Sequence, residues 1–350
     1  MARRLQPDWP EVAAALAALV PRSALHPAVL KWADGDSDSA RRPWAVAFSG
    51  GADSLALLLL LWAHWPERRA SLVALHFDHR LRGRSSTADA RFCERVCVAL
   101  GVRSAAGEWD QARKGASEAE ARAARFGFFQ SEMKRRKIRA LWLGHQQDDI
   151  AETILMRLAR GSGTAGLAAP RPLQAMPGER VHVRPLLTLK KEALTAALTE
   201  VGATWREDAS NVTADYSRNR IRHEALPAWL AATGERDALA GAALSRELLD
   251  EDGEALEAWL DSLTPLSANG QELNVEVLKG KPRAIVRRAL HRWLLVQGSR
   301  TGDLSRQGFA ALLAAVEKGT FTRFSLGRDG LAVIRKGTLR FEPMRLRKSL

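Results

Sequence analysis

The chain is 350 residues long, too long for one ordinary domain and suited to a large α/β domain with one or two smaller ones. Its formal net charge of +13 points to a polyanionic partner, because a field of that sign concentrates nucleic acid at the surface, although charge alone does not tell tRNA from DNA. Two cysteines, Cys93 and Cys97, lie four apart on an expected helix and make neither a disulfide framework nor a zinc or iron–sulfur ligand set, so a reducing cytoplasm suits the protein.

In chain order, the first 20 residues read as an amphipathic helix rather than a signal peptide, since Asp8 and Glu11 interrupt the approach to the alanine-rich run. From Trp44 to about Gly163, short apolar runs alternate with helical ones, the pattern of a parallel sheet covered on both faces. Strands are expected at Ala45–Phe48, Leu72–Phe77, Val102–Ala106, Leu141–Gly144 and Val181–Val183. Helices are expected at Ser54–Trp65, Ala88–Leu100, Ser117–Arg136, Asp149–Arg160 and Lys190–Val201. The apolar run Leu55–Trp62 is far below the roughly 20 residues that span a bilayer, so no membrane is expected as a partner. Ligands of such a sheet bind beyond the carboxyl ends of its strands, where Ser49, Asp78 and His145 fall.

Between the first strand and the first long helix lie Ser49-Gly50-Gly51-Ala52-Asp53-Ser54. Two glycines allow positive φ and converging N–H groups, the following helix aims the positive end of its dipole at the same spot, and Ser49 and Ser54 add hydroxyls. Asp53 repels phosphate unless a divalent cation lies between them, so the loop reads as a site for a nucleotide with Mg²⁺. It lacks the Gly-Lys-Ser/Thr ending of a kinase or GTPase loop. A plain Gly-Ser turn is the alternative.

After the second strand, His76 and Asp78 share one face, placed to hold adenosine or order the next loop, and Arg80 and Arg82 are available to phosphate. The helix around Glu118, Glu120, Arg122 and Arg125 alternates in charge; a surface face and a catalytic arginine are both open. In Gly144–Thr153, His145 sits in a turn and Asp149 and Glu152 share a helical face, where they could hold Mg²⁺ or a substrate ammonium, while Asp148 could cap the helix. Arg218 and Arg222 also share a face and could neutralise an α-phosphate or grip RNA; the alternative is pairing with Glu207 and Asp208.

Beyond Leu226 the pattern turns helical, with nine acids against two arginines over Glu235–Asp261, read as a solvated linking helix. Lys279–Arg300 reverses this with seven Lys/Arg and no acid, and Arg287, Arg288 and Arg292 are either phosphate contacts or a basic face. Phe321–Phe341 alternates enough for a small sheet. The expected domains are residues 1–226, 227–268 and 269–350, the last binding tRNA.

Taken in order, Ser49–Ser54, His76–Arg82, Glu120–Phe126, Gly144–Thr153, Arg160–Leu167, Arg184–Leu187 and Glu207–Asn211 with Arg218–Arg222 resemble the tRNA(Ile)-lysidine synthetase family, within the N-type ATP pyrophosphatases (PP-loop superfamily). The likeness covers about residues 44–226. It implies a doubly wound parallel sheet with smaller mainly helical and α+β C-terminal domains. It also implies a cytoplasmic ligase acting on tRNA(Ile) with a CAU anticodon: the wobble cytidine is adenylated by ATP, then attacked at C2 by L-lysine, giving lysidine and changing codon specificity from AUG to AUA. On that likeness Ser49, Gly50, Gly51, Ala52, Asp53, Ser54, His76 and Asp78 hold ATP, and Asp53 holds Mg²⁺. Asp149 and Glu152 bind lysine, while Asp53, His145, Arg122, Arg125, Arg218 and Arg222 serve catalysis. Arg80 departs from a frequent family glycine, and Pro170 from the residue expected there. No stable protein partner is expected and a homodimer stays open. Two rival readings are a related tRNA thiolase and a nucleic-acid-binding protein with an inactive nucleotide fold.

Overall fold

The computed structural model describes residues 7–35, 41–79, 84–109, 117–207, 217–298, 304–327 and 330–343. Its contacts divide the chain into two compact units, residues 1–248 and 249–350. The division lies inside one continuous helix, Ala238–Ser262, which contains most of the acidic stretch expected as a helical linker over 227–268.

The first unit is built on β1 (Trp44–Ala47), β2 (Val73–Asp78), β3 (Arg103–Glu108), β4 (Ala140–Trp142), β5 (Leu173–Met176) and β6 (Arg180–Val183). Their order across the sheet is β3-β2-β1-β4-β6-β5, parallel throughout except that β5 runs antiparallel to β6. The principal helices are α1 (Trp9–Leu19), α2 (Pro27–Ala33), α3 (Ala52–His64), α4 (Arg84–Ala99), α5 (Glu118–Arg135), α6 (Gln147–Ala159) and α7 (Lys191–Glu200). The chain winds from β1 outward to β3, then returns to start β4 on the other side of β1. The crevice between the loops after β1 and β4 is therefore the switch point at which α/β sheets bind ligands.

Alternation along β1 serves two cores. Trp44, Val46 and Phe48 face one layer with Trp65, Trp142 and the leucines of α3, while Ala45 faces the other with Val73, Phe129, Met133 and Leu141. The rings of Trp44 and Trp142, on neighbouring strands, lie 4.6 Å apart, which fixes the β1–β4 pairing through large apolar surfaces. Helix α3 is apolar nearly all round, with Leu55–Leu61 buried, as a helix wedged between a sheet and α1 must be. Strand β5 escaped the sequence reading because Leu-Gln-Ala-Met has neither β-branched residues nor clear alternation.

In the second unit, β7 (Glu272–Asn274), β8 (Thr322–Ser325), β9 (Gly330–Arg335) and β10 (Thr338–Pro343) form an antiparallel sheet in the order β7-β10-β9-β8. The helix α8 (Ala238–Ser262) crosses the division, and α9 (Arg283–Gln297) and α10 (Arg306–Lys318) follow it. Trp293, Leu260, Leu312 and Ile334 anchor the unit's own core. Helix α8 is not merely solvated, because Glu257 accepts from Arg288 Nη1 at 2.6 Å and from Arg292 Nε at 2.8 Å, and Asp261 pairs with Arg292. Of the three arginines open to reading as phosphate contacts or a basic face, Arg288 and Arg292 are thus engaged within the unit, while Arg287 is exposed. Among the described residues no helix is long and apolar enough to cross a membrane.

Candidate active site at the carboxyl ends of the strands

The loop after β1 is held by its own hydroxyls. Ser49 N–H and the Ser49 hydroxyl both reach Ser54 Oγ, at 3.2 and 3.0 Å, Ser54 Oγ donates to the Gly51 carbonyl at 3.0 Å, and Gly51 N–H lies 3.4 Å from Ser49 Oγ. Of the two glycines only Gly50 has positive φ, +88°, whereas Gly51 is extended with φ −74° and caps α3. A Cβ at Gly50 would also meet Cys93 Sγ at 3.1 Å, so the loop rests on the α4 cysteine. Arg206 straps the loop down: its N–H donates to the Gly50 carbonyl at 2.9 Å and its Nε to Asp89 at 2.6 Å. Ala52 and Asp53 form the first turn of α3 with the N–H groups of a helix start.

Asp53 is the loop's least satisfied member. Its Oδ1 is buried with no hydrogen-bond partner among the described residues, and burial, then the Asp149 carboxylate, raise its pKa from 3.8 to about 6, against the pull of Lys191 and Arg222. A buried carboxyl oxygen that lacks a partner beside a phosphate cradle fits a divalent cation. The β4 end passes close behind it, since a Cβ on Gly144 would come within 2.9 Å of the Asp53 carbonyl, so glycine there lets the two loops meet.

His76 is buried and its Nδ1 lies 3.0 Å from the Phe48 carbonyl, which ties the β2 end to the loop root. Asp78 ends β2, its carbonyl accepting from Trp109 N–H at 2.9 Å. Arg80, Arg82, Asp208 and Asn211 lie outside the described residues.

The cap of helix α6 is Gln146 and not Asp148: the Gln146 side chain accepts from Asp148 N–H at 2.7 Å, while Asp149 Oδ2 accepts from Gln146 N–H at 3.0 Å. Asp148 turns away to accept from Lys191 N–H at 3.0 Å. Asp149 and Glu152 share one face, as their spacing requires, and that face meets Arg218 and Arg222. Arg218 donates to Glu152 at 2.9 Å and to Asp149 at 2.6 Å; Arg222 donates to Glu152 at 2.5 and 3.0 Å and reaches Asp149 at 3.5 Å. These arginines pair with buried acids, because the Glu152 side chain is 1% exposed and an ion there needs a counter-charge; of the two acids in the alternative reading, Asp208 lies outside the described residues. A turn of π-helix, Ile221–Ala225, carries Arg222.

His145 stands beside this quartet. Its Nδ1 accepts from Arg184 Nε at 3.1 Å. Burial first, then Arg184, Arg218, Arg122 and Arg125, hold its pKa well below the ordinary value, so it is neutral. Arg122 and Arg125 lie over the Phe126 ring at 4.7 and 5.6 Å, and Phe126 stacks against His182 at 5.4 Å. The loops after β1 and β4, helix α5 and the 217–225 segment therefore supply one cluster rich in guanidinium groups. Sequence reasoning assigned no role to Arg184, Arg206, Asp89 or Gln146. Arg184 was findable, since it follows β6 at the same carboxyl edge as His145.

Cys93 and Cys97 are buried, and burial pushes both thiols up, Cys97 to about 12. Among the described residues no three His, Cys, Asp or Glu side chains gather as a metal site. The thiol chemistry of a thiolase finds no support in these two packed side chains.

A profile of the PP-loop domain family matches residues 27–229. A tRNA(Ile)-lysidine synthase of Rhodococcus erythropolis is 38% identical over 280 residues, covering 79% of this chain and 81% of its own. One from Bacillus licheniformis is 37% identical over 253 residues, covering 69% of this chain but only 52% of its own, so this chain spans about half the length of that relative. Among solved structures, a U34-tRNA thiolase from Methanococcus maripaludis with a [4Fe-4S] cluster superposes at a TM-score of 0.50 with 17% identity, over 67% of this chain and 80% of that one. That likeness concerns the fold alone.

Proposed function

Since this chain belongs to the tRNA(Ile)-lysidine synthase family of PP-loop proteins, we propose that it joins L-lysine to C2 of the wobble cytidine of tRNA(Ile) with a CAU anticodon, using ATP. The observation that carries this reading is the meeting, at one switch point, of a phosphate loop, an Asp53 oxygen with no partner among the described residues, and a buried pair of carboxylates matched by arginines.

The loop N–H groups and the hydroxyls of Ser49 and Ser54 hold the diphosphate of ATP, with His76 and Asp78 toward the nucleoside. Asp53, whose buried Oδ1 has no hydrogen-bond partner among the described residues, would hold Mg²⁺, which when bound would supply charge neutralisation for the phosphates. The cytosine C2 oxygen attacks the α-phosphorus and pyrophosphate leaves. The guanidinium groups of Arg122, Arg125, Arg218 and Arg222 offset the charge that builds on the phosphoryl oxygens. In the second step the lysine ε-amine attacks C2, the C2–oxygen bond breaks, AMP leaves with that oxygen, and the amine gives up a proton.

Asp149 and Glu152 bind the cationic end of lysine. Their pairing with Arg218 and Arg222 gives each group a stand-in for its substrate: guanidinium where ammonium is to bind, carboxylate where phosphate is to be neutralised. Entry of lysine then releases arginine toward phosphate without leaving a bare buried charge.

Labelled L-lysine should enter a CAU transcript of tRNA(Ile) only with ATP, and should not enter the same transcript with a UAU anticodon. Release of AMP and pyrophosphate without lysine incorporation would retain adenylation and reject lysine as the nucleophile. Binding of tRNA with no ATP turnover would favour the inactive nucleotide fold.

A further inference from the structure

Arg184 follows β6 and is 4% exposed, and each of its three guanidinium nitrogens donates a hydrogen bond. Nε donates to His145 Nδ1 at 3.1 Å, Nη1 to the Arg171 carbonyl at 2.8 Å and Nη2 to Gln174 Oε1 at 3.0 Å. Its backbone N–H donates to the Pro172 carbonyl at 2.8 Å. Arg171 and Pro172 lead into β5, and Gln174 lies within it, opposite His182 of β6. The antiparallel edge strand is thus a brace for one guanidinium.

Guanidinium has donors and no acceptor, so a hydrogen bond from it to an imidazole nitrogen requires a lone pair on that nitrogen. A neutral imidazole that accepts at Nδ1 carries its proton at Nε2. We propose that Arg184 is a positioning residue that fixes His145 as the Nε2–H tautomer, so that His145 serves as an uncharged hydrogen-bond donor to an anionic phosphoryl oxygen and not as a general base. This rests on the adenylating reading of the site. The groups facing His145 agree with it: Arg122 and Arg125 from α5, Arg184 from β6 and Arg218 from the 217–220 turn all oppose a second proton, and burial opposes it further. A base in such surroundings would have to become imidazolium among four cations. A donor needs no change of charge during the reaction.

The test begins without substrate. Protein labelled with ¹⁵N in its eight histidines, with the His145 signals assigned through H145Q, should show a bare Nδ1 and a protonated Nε2 across neutral pH. Arg184→Met should let the ring sample the other tautomer and titrate nearer the ordinary histidine range, and Arg184→Lys, which keeps a donor, should restore part of the native spectrum. Gln174→Leu loosens the brace without touching His145 and should shift the same signals less; it also serves should Arg184→Met fail to fold. In pyrophosphate release, Arg184→Met should lower kcat by about 10–100-fold, as loss of an orienting partner does, with KM for ATP changed far less, and should add an ionisation in the imidazole range to the pH profile. A wild-type His145 protonated at Nδ1, or a tautomer unaltered in Arg184→Met, overturns the proposal. Either result leaves lysine transfer by the wild type untouched, whereas absence of that transfer removes the functional reading and leaves the tautomer measurement standing.

Discussion

The chain builds the same device twice, with opposite consequences. In the first unit, arginines four apart, Arg218 and Arg222, grip acids three apart, Asp149 and Glu152; in the second, Arg288 and Arg292, also four apart, grip Glu257 and Asp261. The acid side chains are 10% and 1% exposed in the first quartet but 37% and 64% exposed in the second. The first lies at strand ends beside a neutral histidine and an unpartnered Asp53 oxygen, and the second joins two helices at a wet surface. Identical residue types at nearly identical spacing therefore form a buried quartet at the strand ends in one place and fasten helices at an exposed surface in the other. Burial and neighbours decide between them.

The largest effect that sharpens this comparison is expected at Asp53. Asp53→Asn keeps the shape and removes the charge that would hold a cation, so pyrophosphate release should slow on the order of 10²–10³-fold while circular dichroism is unchanged. Next comes a matched pair of truncations. Arg222→Met removes charge-assisted bonds to the buried Glu152 and should lower unfolding free energy by about 1.5–3 kcal/mol in urea titrations. Arg292→Met, at the exposed quartet, should cost about 0–1 kcal/mol and leave pyrophosphate release unaltered. Equal losses at the two sites would break the distinction drawn from burial.

A smaller and more diagnostic effect is expected from pH. The Asp53 pKa is raised in the folded chain, so between its ordinary 3.8 and about 6 the folded state binds more protons than the unfolded one. Its contribution to stability therefore falls as pH rises through that window. Asp53→Asn should flatten this part of the profile, and Mg²⁺, which binds the ionised form, should restore stability at the upper end. Urea midpoints at several pH values, with and without Mg²⁺, report both. A wild-type profile that matches Asp53→Asn would remove the raised pKa from the account.

Much of this site was legible because it is local. The loop at Ser49–Ser54 needs only consecutive residues, and the face shared by Asp149 and Glu152 needs only helical periodicity, so both could be read directly. That Gln146 rather than Asp148 caps α6 was not legible, because a sequence does not show that Lys191 offers its N–H to Asp148 from another helix start. Strand β5 was missed because its residues carry little strand preference and gain their place by pairing with β6.

Chain order alone determined the parallel sheet, its phosphate loop, the crossover pattern and the abundance of basic residues. Tertiary structure alone decided which arginine meets which acid, that Arg288 and Arg292 are held at a helix pair, that Arg184 hydrogen-bonds His145, and that Asp53 Oδ1 has no partner among the described residues. The physical reason is range. Backbone geometry and periodicity act over a few residues, whereas the partners of a buried charge are chosen across 66 to 73 residues of sequence by the fold that excludes water from it.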